Sequence, residues 1–473
     1  MNAPTPEVSR DLADLDAIFQ SQREAFRRSP HPSAAERREH LDKLRHLLLE
    51  HTHAIVEAVS QDFGHRSEHE TKLLEIFPSL LGIRHARSHV GAWMRPERKS
   101  ASVWFVPGRA TIVKQPLGVV GVIVPWNYPL YLAIGPLISA LAAGNRVMVK
   151  MSEFTPRFGA LFAELIAKYF PPDHVAVLNG GVEVAQAFAA KPFDHLLFTG
   201  STAIGQRVMR AAAENLTPVT LELGGKSPTI VAPDFPIDVA AKRIMLGKCL
   251  NAGQTCIAPD YLFVHEPQLQ RFIEVARDEV KRLYPVVPVS RDYTAIVSER
   301  HYQRLVGYLD DAQAKGAQIL PLGENSPEAR KLAPTLVTGV SDAMQIMQDE
   351  IFGPLLPVLS YKTLDEALRY VDDHPRPLAM YYFDYDQSRI NRVLHESIAG
   401  GVTVNDVILH IAQDELPFGG VGPSGMGHYH GEEGFITFSK RKGVFFQSRL
   451  STLPLLKPPF GKRIEALFKI MLR

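Results

Sequence analysis

The chain has two cysteines, Cys249 and Cys256, which lie in different settings. Cys256 belongs to the stretch Asn251-Ala-Gly-Gln-Thr-Cys-Ile-Ala-Pro259, which is small, flexible and bounded by Gly253 and Pro259. A thiol that attacks a substrate needs exposure and nearby backbone donors, and such a loop offers both. A buried thiol that acts as a small hydrophobic group is the alternative. Cys249 follows a helical pattern and is expected to be structural.

A carboxylate and an amide follow predicted strands and can complement a nucleophile. Glu222 lies between Leu221 and Leu223, and apolar surroundings raise a carboxyl pKa toward the range of a general base. Asn127, in Pro125-Trp-Asn-Tyr-Pro129, can donate its amide to an oxyanion, with a backbone N–H as the second donor. The alternatives are a hydrogen-bonded glutamate at a strand end and an ordinary turn asparagine.

A glycine-containing turn offers a seat for a phosphate. The stretch Phe198-Thr-Gly-Ser-Thr-Ala-Ile-Gly205 follows a predicted strand and opens a predicted helix. Its Gly200, Ser201 and Gly205 suit an anion at a helix N-terminus. Gln206 stands where a Walker loop needs lysine, and the spacing is not G-x-G-x-x-G. A plain tight turn is equally compatible with these residues.

Two further pairs of residues can contact a nucleotide. Lys150 and Glu153 follow a predicted strand and can hold the two hydroxyls of a ribose, one as donor and one as acceptor. A surface ion pair is the commoner use of such residues. Glu350 can also reach a ribose, and Phe352 can pack on a flat ring. A thiol, a carboxylate, an oxyanion donor and a dinucleotide cradle are thus all predicted at loop positions.

Alternating strand and helix patterns position these loops. From residue 117 to residue 222, apolar runs alternate with helical patterns, and the alternation resumes after Cys256. Unbroken apolar strands separated by helices indicate parallel sheets covered on both faces. Ligands bind such sheets at the carboxyl ends of the strands. We therefore expect an α/β fold with two parallel-sheet units, preceded by helices.

Segments outside this alternation carry separate predictions. Residues 101–115 and 443–447 look like strands, and they are far enough apart in sequence to suggest pairing on a partner subunit. Residues 461–473 form a short basic amphipathic helix that docks on the protein or lies on a membrane surface.

The pattern of residues 70–93 is helical and places Leu73 and its apolar neighbours inward. Two histidines of this helix, His85 and His89, are expected on a solvated face. No metal site is predicted there or elsewhere in the chain.

Composition excludes several classes of protein. The 473 residues include 52 Lys+Arg and 51 Asp+Glu, a net charge of +1, so no basic field for nucleic acid exists. Two cysteines argue against a disulfide framework and suit the cytoplasm. The first residues lack a signal pattern. The uncharged span 115–145 contains too many prolines and glycines for a membrane helix, so two or three domains and no transmembrane segment are expected.

Six motifs, in this order, resemble the aldehyde dehydrogenase superfamily over about residues 10–447. The separation of Glu222 and Cys256, 256 − 222 = 34 residues, fits the family's interval between base and nucleophile. The motifs are Pro125-Trp-Asn-Tyr-Pro129, Lys150-x-Ser-Glu153, Phe198-Thr-Gly-Ser-Thr202, Leu221-Glu-Leu-Gly-Gly-Lys-Ser-Pro228, Gly253-Gln-Thr-Cys256 and Glu350-Ile-Phe-Gly-Pro354.

Other stretches resemble particular branches of this superfamily. Ala258-Pro-Asp-Tyr261, Val404-Asn-Asp-Val407 and residues 418–427 resemble the class 3 branch, which includes fatty and aromatic aldehyde dehydrogenases. Gly64-His-Arg-Ser67 and Trp93-Met-Arg-Pro-Glu-Arg98 are similar to bacterial coniferyl aldehyde dehydrogenases.

The resemblance implies two Rossmann-like parallel-sheet domains, a small β element for oligomerisation or bridging, and a homodimer. The predicted parts are an NAD-binding domain at 1–98 and 118–221, a catalytic domain at 222–415, oligomerisation and bridging segments at 99–117 and 416–448, and a C-terminal tail at 449–473.

The resemblance also implies a role for each site residue. Cys256 attacks the aldehyde to form a thiohemiacetal and then a thioester, while Asn127 and the Cys256 backbone N–H hold the oxyanion. NAD accepts the hydride, and Glu222 activates the water that releases the carboxylate. The residues implied in cofactor binding are Trp126, Lys150, Glu153, Gly200, Ser201, Gly205, Leu223, Glu350 and Phe352.

Cofactor preference and substrate follow from finer features. Met151 and Ser201 depart from the residues commoner in the family, which keeps NADP as an alternative, whereas Glu153 should repel a 2′-phosphate and favours NAD.

Coniferyl aldehyde, oxidised to ferulate, is the first choice of substrate, and medium- or long-chain aliphatic aldehydes are the second. The same residues are compatible with a cysteine acyl hydrolase without nucleotide, and a non-catalytic scaffold is a third hypothesis. Residues that suit a flat or long apolar aldehyde are Tyr128, Tyr131, Val407, Ile408 and Leu409.

Overall fold

The computed structural model describes residues 6–450 and 457–472, and its first part is helical. Ser33 caps the second helix in a capping box with Glu36. The helices are α1 (Pro6–Arg28), α2 (Ala34–Glu50), α3 (Thr52–Phe63), α4 (Glu68–Thr71) and α5 (Phe77–Trp93).

A single turn of π-helix, Lys72–Ile76 (the π-turn), joins α4 to α5. Its extra residue shifts the helical phase relative to a continuous α-helix. The prediction that Leu73 faces inward is therefore wrong, because Leu73 is 59% exposed while Glu75 is completely buried.

A six-stranded sheet follows, in the order β15-β7-β6-β3-β4-β5. Its first five strands along the chain are parallel, as their apolar runs predict, and β15 joins the edge antiparallel to β7. The strands are β3 (Val119–Ile123), β4 (Arg146–Lys150), β5 (Val175–Leu178), β6 (His195–Thr199), β7 (Val219–Glu222) and β15 (Gly425–Met426), and the helices between them are α6 (Tyr131–Ala143), α7 (Pro156–Tyr169), α8 (Val182–Ala189) and α9 (Thr202–Ala213).

A seven-stranded sheet forms the second unit, in the order β10-β11-β12-β9-β8-β13-β14, parallel except for β10 against β11. The strands are β8 (Pro228–Val231), β9 (Tyr261–His265), β10 (Gln318–Pro321), β11 (Thr335–Thr338), β12 (Leu355–Tyr361), β13 (Ala379–Phe383) and β14 (Gly401–Val404), and the helices are α10 (Ile237–Cys249), α11 (Leu269–Leu283), α12 (Glu299–Ala314), α13 (Gln345–Gln348), α14 (Leu364–Asp372) and α15 (Gln387–Glu396). Two parallel-sheet units in an α/β fold confirm the predicted fold class.

A third sheet joins distant parts of the chain, in the order β1-β2-β16. Its strands are β1 (Glu97–Lys99), β2 (Arg109–Pro116) and β16 (Ser439–Phe446). β16 pairs antiparallel with β2 of the same chain, so the predicted pairing of these segments on a partner subunit is replaced by pairing within one subunit. Residues Val103–Phe105 form a 3₁₀ turn rather than part of a strand.

The remaining helices are α16 (Gly431–Thr437) and α17 (Lys462–Met471). α17 lies in the predicted basic tail. None of the helices in the described part of the chain is long and apolar enough to cross a membrane. The predicted bounds of the domains stay a prediction, although β15 shows that the segment 416–448 also contributes a strand to the first large sheet.

Candidate active site

Cys256 follows a loop whose backbone is held in an unusual conformation. Asn251, Ala252 and Gly253 have φ angles of 52°, 50° and 71°. The left-handed region is unfavourable for residues that carry a Cβ. A Cβ on Gly253 would also clash with the carbonyl oxygen of Gly353. This position therefore requires glycine, and the loop can approach its neighbour closely only because glycine is present.

Gln254 anchors the same loop with its side chain. Its Nε2 donates to the carbonyl oxygen of Ala295 at 3.0 Å, and its Oε1 accepts the N–H of Val297 at 3.0 Å. The loop thus holds Cys256 in a half-buried position at the end of a fixed segment. Cys249 is completely buried at the end of α10, and burial raises the pKa of its thiol.

Glu222 ends β7 and faces the same cavity as the Cys256 thiol. The side chain is 2% exposed, and neither carboxylate oxygen finds a hydrogen-bond partner among the described residues. Burial raises the pKa of Glu222 well above 4.5. Burial also raises the pKa of Cys256 to about 12, with a further contribution from the charges of Glu350 and Glu222. Two negative charges are unfavourable in one apolar cavity. The proton that leaves the thiol can therefore pass to the carboxylate of Glu222, so that the cavity keeps only one negative charge.

Asn127 connects the turn after β3 with the cysteine loop. Its Nδ2 donates to the carbonyl oxygen of Gln254 at 3.2 Å, two residues before Cys256. Its own carbonyl oxygen accepts from Arg66 Nη1 at 3.1 Å and from Asn251 Nδ2 at 3.0 Å. The side chain that the sequence predicts as an oxyanion donor is therefore held next to the predicted nucleophile.

One cavity of about 360 Å³ collects most of the predicted site residues. It lies where the loops after β3, β6 and β7 meet loops of the seven-stranded sheet, which is the usual ligand position for parallel sheets. The predicted residues on its wall are Trp126, Asn127, Gly200, Ser201, Glu222, Leu223, Cys256, Glu350 and Phe352.

Three predicted cofactor residues lie outside the wall of this cavity. Lys150 is 1% exposed, and its Nζ donates to the carbonyl oxygens of Met151 and Gly180, each at 2.7 Å. Burial lowers the pKa of Lys150. Glu153 is exposed. Gly205 lies in α9, where a Cβ would clash with Leu223, so this glycine lets the helix pack against a wall residue.

Several features of the wall fit a dinucleotide. Ser201 is the N-cap residue of α9, yet its hydroxyl accepts no hydrogen bond from the first turn, as far as the described residues show. The end of α9 can therefore donate backbone N–H groups to a phosphate. The ring of Phe352 lies 5.3 Å from that of Trp126, which provides an apolar surface for a planar group.

Glu350 also faces the cavity. Its carboxylate approaches Gly224 so closely that a Cβ there would clash with it, and Oε1 is buried without a hydrogen-bond partner in the described chain. Burial, with the charge of Asp260, raises the pKa of Glu350 to about 8, and the N–H of Gly225 opposes this shift. An unpartnered buried carboxyl oxygen fits a sugar hydroxyl as donor.

Other residues of the wall were not predicted from the sequence. His301, Arg304 and Tyr308 lie on α12 and reach the cavity. Arg304 Nη1 and Nη2 donate to the carbonyl oxygens of Glu350 and Ile351, at 3.2 and 2.8 Å, and so fix the turn that carries Glu350. The regular helical pattern of α12 contains no signal for these contacts, which depend on the position of a distant loop.

The residues that were predicted to suit an apolar aldehyde lie in varied surroundings. Tyr128 hydrogen-bonds through its hydroxyl to Thr255 Oγ1 at 2.7 Å, directly beside Cys256. The hydroxyl of Tyr131 lies 3.5 Å from His430 Nε2. Of the other three, Val407 is buried, Ile408 is partly buried and has a φ of 68°, and Leu409 is 51% exposed.

Of the two histidines of α5, His85 is half-buried and His89 is exposed. The ring of His89 stacks on Trp93 at 5.8 Å, and the ring of His85 lies 4.3 Å from that of His89. The ligand atoms of both rings and of Glu415 lie within 4.8 Å of one another. The predicted absence of a metal site stays a prediction.

Comparison with known proteins agrees with this geometry. The model of the aldehyde dehydrogenase family matches residues 7–444. A probable coniferyl aldehyde dehydrogenase of Pseudomonas aeruginosa is 55% identical over 468 residues, which cover 99% of this chain and 98% of that protein. A coniferyl aldehyde dehydrogenase of a Pseudomonas species is 47% identical and covers 91% of each chain.

Solved structures are similar over nearly the whole length. The substrate-bound state of Staphylococcus aureus AldH superposes with a TM-score of 0.92 at 38% identity, over 97% of this chain and 99% of that one. The aldehyde dehydrogenase of Mycobacterium tuberculosis complexed with NAD⁺ gives a TM-score of 0.83 at 28% identity, over 92% and 90% of the two chains. The chain belongs to the aldehyde dehydrogenase family, and it is an enzyme that oxidises an aldehyde group.

Proposed function

We propose that this enzyme oxidises coniferyl aldehyde to ferulate with NAD, and that Cys256 is the nucleophile. The observation that carries the proposal is the meeting of Cys256, Glu222 and Asn127 around one cavity. The names of the two Pseudomonas relatives support this choice of substrate. The NAD⁺ complex of the M. tuberculosis relative supports the cofactor.

The chain's own residues supply the proton transfers and the charge stabilisation. Glu222 accepts the thiol proton, and the Cys256 sulfur bonds to the aldehyde carbon. Asn127 Nδ2 and the Cys256 backbone N–H stabilise the oxyanion that forms. NAD, when bound, accepts the hydride that the aldehyde carbon loses. Glu222 then gives the thiol proton up to solvent and takes a proton from water, and the hydroxide so formed attacks the thioester. The carboxylic acid that is released passes its proton to the departing thiolate, so that the carboxylate and the free thiol result.

We infer from the wall of the cavity which residues would hold each part of NAD. The first turn of α9, after Gly200 and Ser201, would hold the pyrophosphate, and Glu350 would accept a hydrogen bond from a ribose hydroxyl. Trp126, Phe352 and Leu223 offer apolar contact. Lys150 and Glu153 would hold the second ribose beyond the cavity wall, and Glu153 would disfavour the 2′-phosphate of NADP.

Substitution of the nucleophile and the base tests the mechanism. Cys256→Ser should reduce aldehyde-dependent NADH formation to below a few per cent, while Cys249→Ser, the matched control, should retain it. Glu222→Gln should release a burst of about one NADH per active site and then stall at thioester hydrolysis. Unimpaired steady turnover in Glu222→Gln would exclude it as the base that activates water.

The substrate and the cofactor need separate measurements. Values of kcat/KM for coniferyl aldehyde, benzaldehyde, octanal and hexadecanal, each with NAD and NADP, should rank coniferyl aldehyde with NAD first. Faster octanal turnover would replace the proposal by an aliphatic aldehyde dehydrogenase. Titration with NAD should quench the fluorescence of Trp126, whereas a cysteine acyl hydrolase would give no quenching.

We further propose a homodimer in the cytoplasm. β16 is an edge strand of the three-stranded sheet, and its Phe445 and Phe446 are each 47% exposed. An edge strand with exposed aromatic side chains favours association with another chain. Sedimentation at micromolar concentration should give a dimer, and a monomer would refute this part. The two free cysteines support a reducing compartment.

A further inference from the structure

Three buried charged side chains lie behind the candidate active site, on residues 66–75, which we name the clamp segment. Arg66, Glu70 and Glu75 are 1%, 7% and 0% exposed. Buried charges cost several kcal/mol each unless they are paired and hydrogen-bonded. The hydrogen-bond and ion-pair partners of these three side chains therefore show which parts of the protein they support. Most of these partners belong to the loops of Asn127 and Cys256.

Arg66 and Glu75 form an ion pair of 2.8 Å that holds the Asn127 turn from both sides. Arg66 Nη1 donates to the carbonyl oxygen of Asn127 at 3.1 Å. Glu75 Oε2 accepts the N–H groups of Leu130 and Tyr131 at 2.8 and 3.1 Å, where α6 begins. A carboxylate at a helix N-terminus is favoured by the helix dipole. The ion pair thus fixes both the start of α6 and the turn before it.

Glu70 holds the cysteine loop in the same way. Its Oε1 accepts the N–H of Asn251 at 3.1 Å, and its Oε2 accepts from Thr294 Oγ1 at 2.6 Å. Asn251 in turn donates from Nδ2 to the carbonyl oxygens of Asn127 and Gln254, at 3.0 and 3.1 Å. The clamp segment therefore contacts both loops, and Asn251 bonds the loops to each other.

The π-turn explains how one short segment reaches both loops. Residues five apart in an α-helix point about 140° away from each other. The π-turn at Lys72–Ile76 closes i→i+5 contacts instead. Glu70 and Glu75 can consequently both face inward from one helical segment, although they are five residues apart.

We propose that Arg66, Glu70 and Glu75 are positioning residues, which set the placement of the Asn127 amide relative to Cys256. None of the three lines the cavity. The inference rests on the proposed function, in which the Asn127 amide and the Cys256 N–H share one oxyanion. Stabilisation of an oxyanion depends on donors held at fixed distances, so a small shift of either loop lowers the rate.

A double-mutant cycle separates positioning from general stability. The variant Arg66→Met/Glu75→Gln removes both members of the ion pair together, so that neither is left buried without the other. It should lower kcat/KM by at least about ten-fold in the wild-type background, because the Asn127 amide loses its placement. In the Asn127→Ala background the same change should cost less than about two-fold, because no amide is left to misplace.

Two controls make every result decisive. Arg389→Met removes an ion pair with the buried Asp384. Neither residue lines the cavity, so the variant should lower Tm while leaving kcat/KM within about two-fold. An equal loss of kcat/KM from Arg66→Met/Glu75→Gln in both backgrounds would overturn the positioning role. If Asn127→Ala alone keeps full activity, the oxyanion assignment fails, and that result is distinct from an additive cycle. Should Arg66→Met/Glu75→Gln fail to fold, Arg66→Lys, which keeps the charge, replaces it in the same cycle.

Discussion

Glu350→Gln is predicted to stabilise the protein while it weakens NAD binding. The carboxyl is buried, its pKa is raised to about 8, and one of its oxygens has no hydrogen-bond partner in the described chain. A glutamine has nearly the same shape, can still accept from the Gly225 N–H, and never becomes charged. The substitution therefore removes the cost of ionising a buried group without creating a cavity.

The size of the effect follows from the two protonation states. As the pH rises, Glu350 of the unfolded chain, with a pKa near 4.5, loses its proton at a lower pH than Glu350 of the folded protein, with a pKa of about 8. The free energy of unfolding therefore falls as the pH rises from 4.5 through about 8. For these values the cost of Glu350 is below about 1 kcal/mol at pH 5 and about 3 kcal/mol at pH 7. The advantage of Glu350→Gln should therefore grow over this range and level off above pH 8.

Thermal unfolding of the nucleotide-free enzyme between pH 5 and pH 9 measures this difference. The Tm of Glu350→Gln should exceed that of the wild type by a margin that widens with pH, while Kd for NAD rises. Glu24→Gln, on the exposed surface of α1, is the matched control and should show no such trend. A Tm difference that is constant with pH, or a less stable variant at pH 7, would refute the reasoning.

Three shorter predictions concern other parts of the site. Gly253→Ala should lower kcat at least about ten-fold, since a Cβ clashes with Gly353 and disfavours the left-handed backbone; wild-type rates would contradict this. The acid limb of the kcat–pH profile should lie well above pH 4.5, because burial raises the pKa of Glu222, and an acid limb near 4.5 would contradict the base assignment. Zn²⁺ should leave Tm unchanged, and a saturable rise that is lost in His89→Ala would establish a metal site on α5.

The parallel sheets and the site loops were predictable because their signals are local. Strands such as β3 and β5 are unbroken apolar runs, and the residues that follow the strands of a parallel sheet lie at its ligand-binding edge. Glu222, which lies between two leucines in the sequence, is 2% exposed. The meeting of Cys256 with Asn127 followed from motif resemblance and could not have been obtained from residue spacing alone.

The supporting residues could not be predicted, because their signals are not local. Glu75 looks like an ordinary charged residue of a surface helix until the π-turn shifts the helical phase. Arg66 lies in the loop between α3 and α4, where the sequence has no periodic pattern that could indicate its burial. The same shift makes the predicted inward position of Leu73 wrong. Arg304 lies in a regular helix, and its contacts with the Glu350 turn depend on how the loops are packed.

The pairing of β16 with β2 also has a consequence for synthesis of the chain. Ser439 of β16 pairs with Pro116 of β2, so β2 leaves the ribosome long before β16 has been synthesised. Gly425 of β15 likewise pairs with Glu222, at the edge of the first large sheet. Two sheets therefore acquire these strands only long after the rest of each sheet has been synthesised, and contacts so distant in sequence form slowly. Until then the edges of β2 and β7 are open, and nascent chains are most prone to aggregate during this interval.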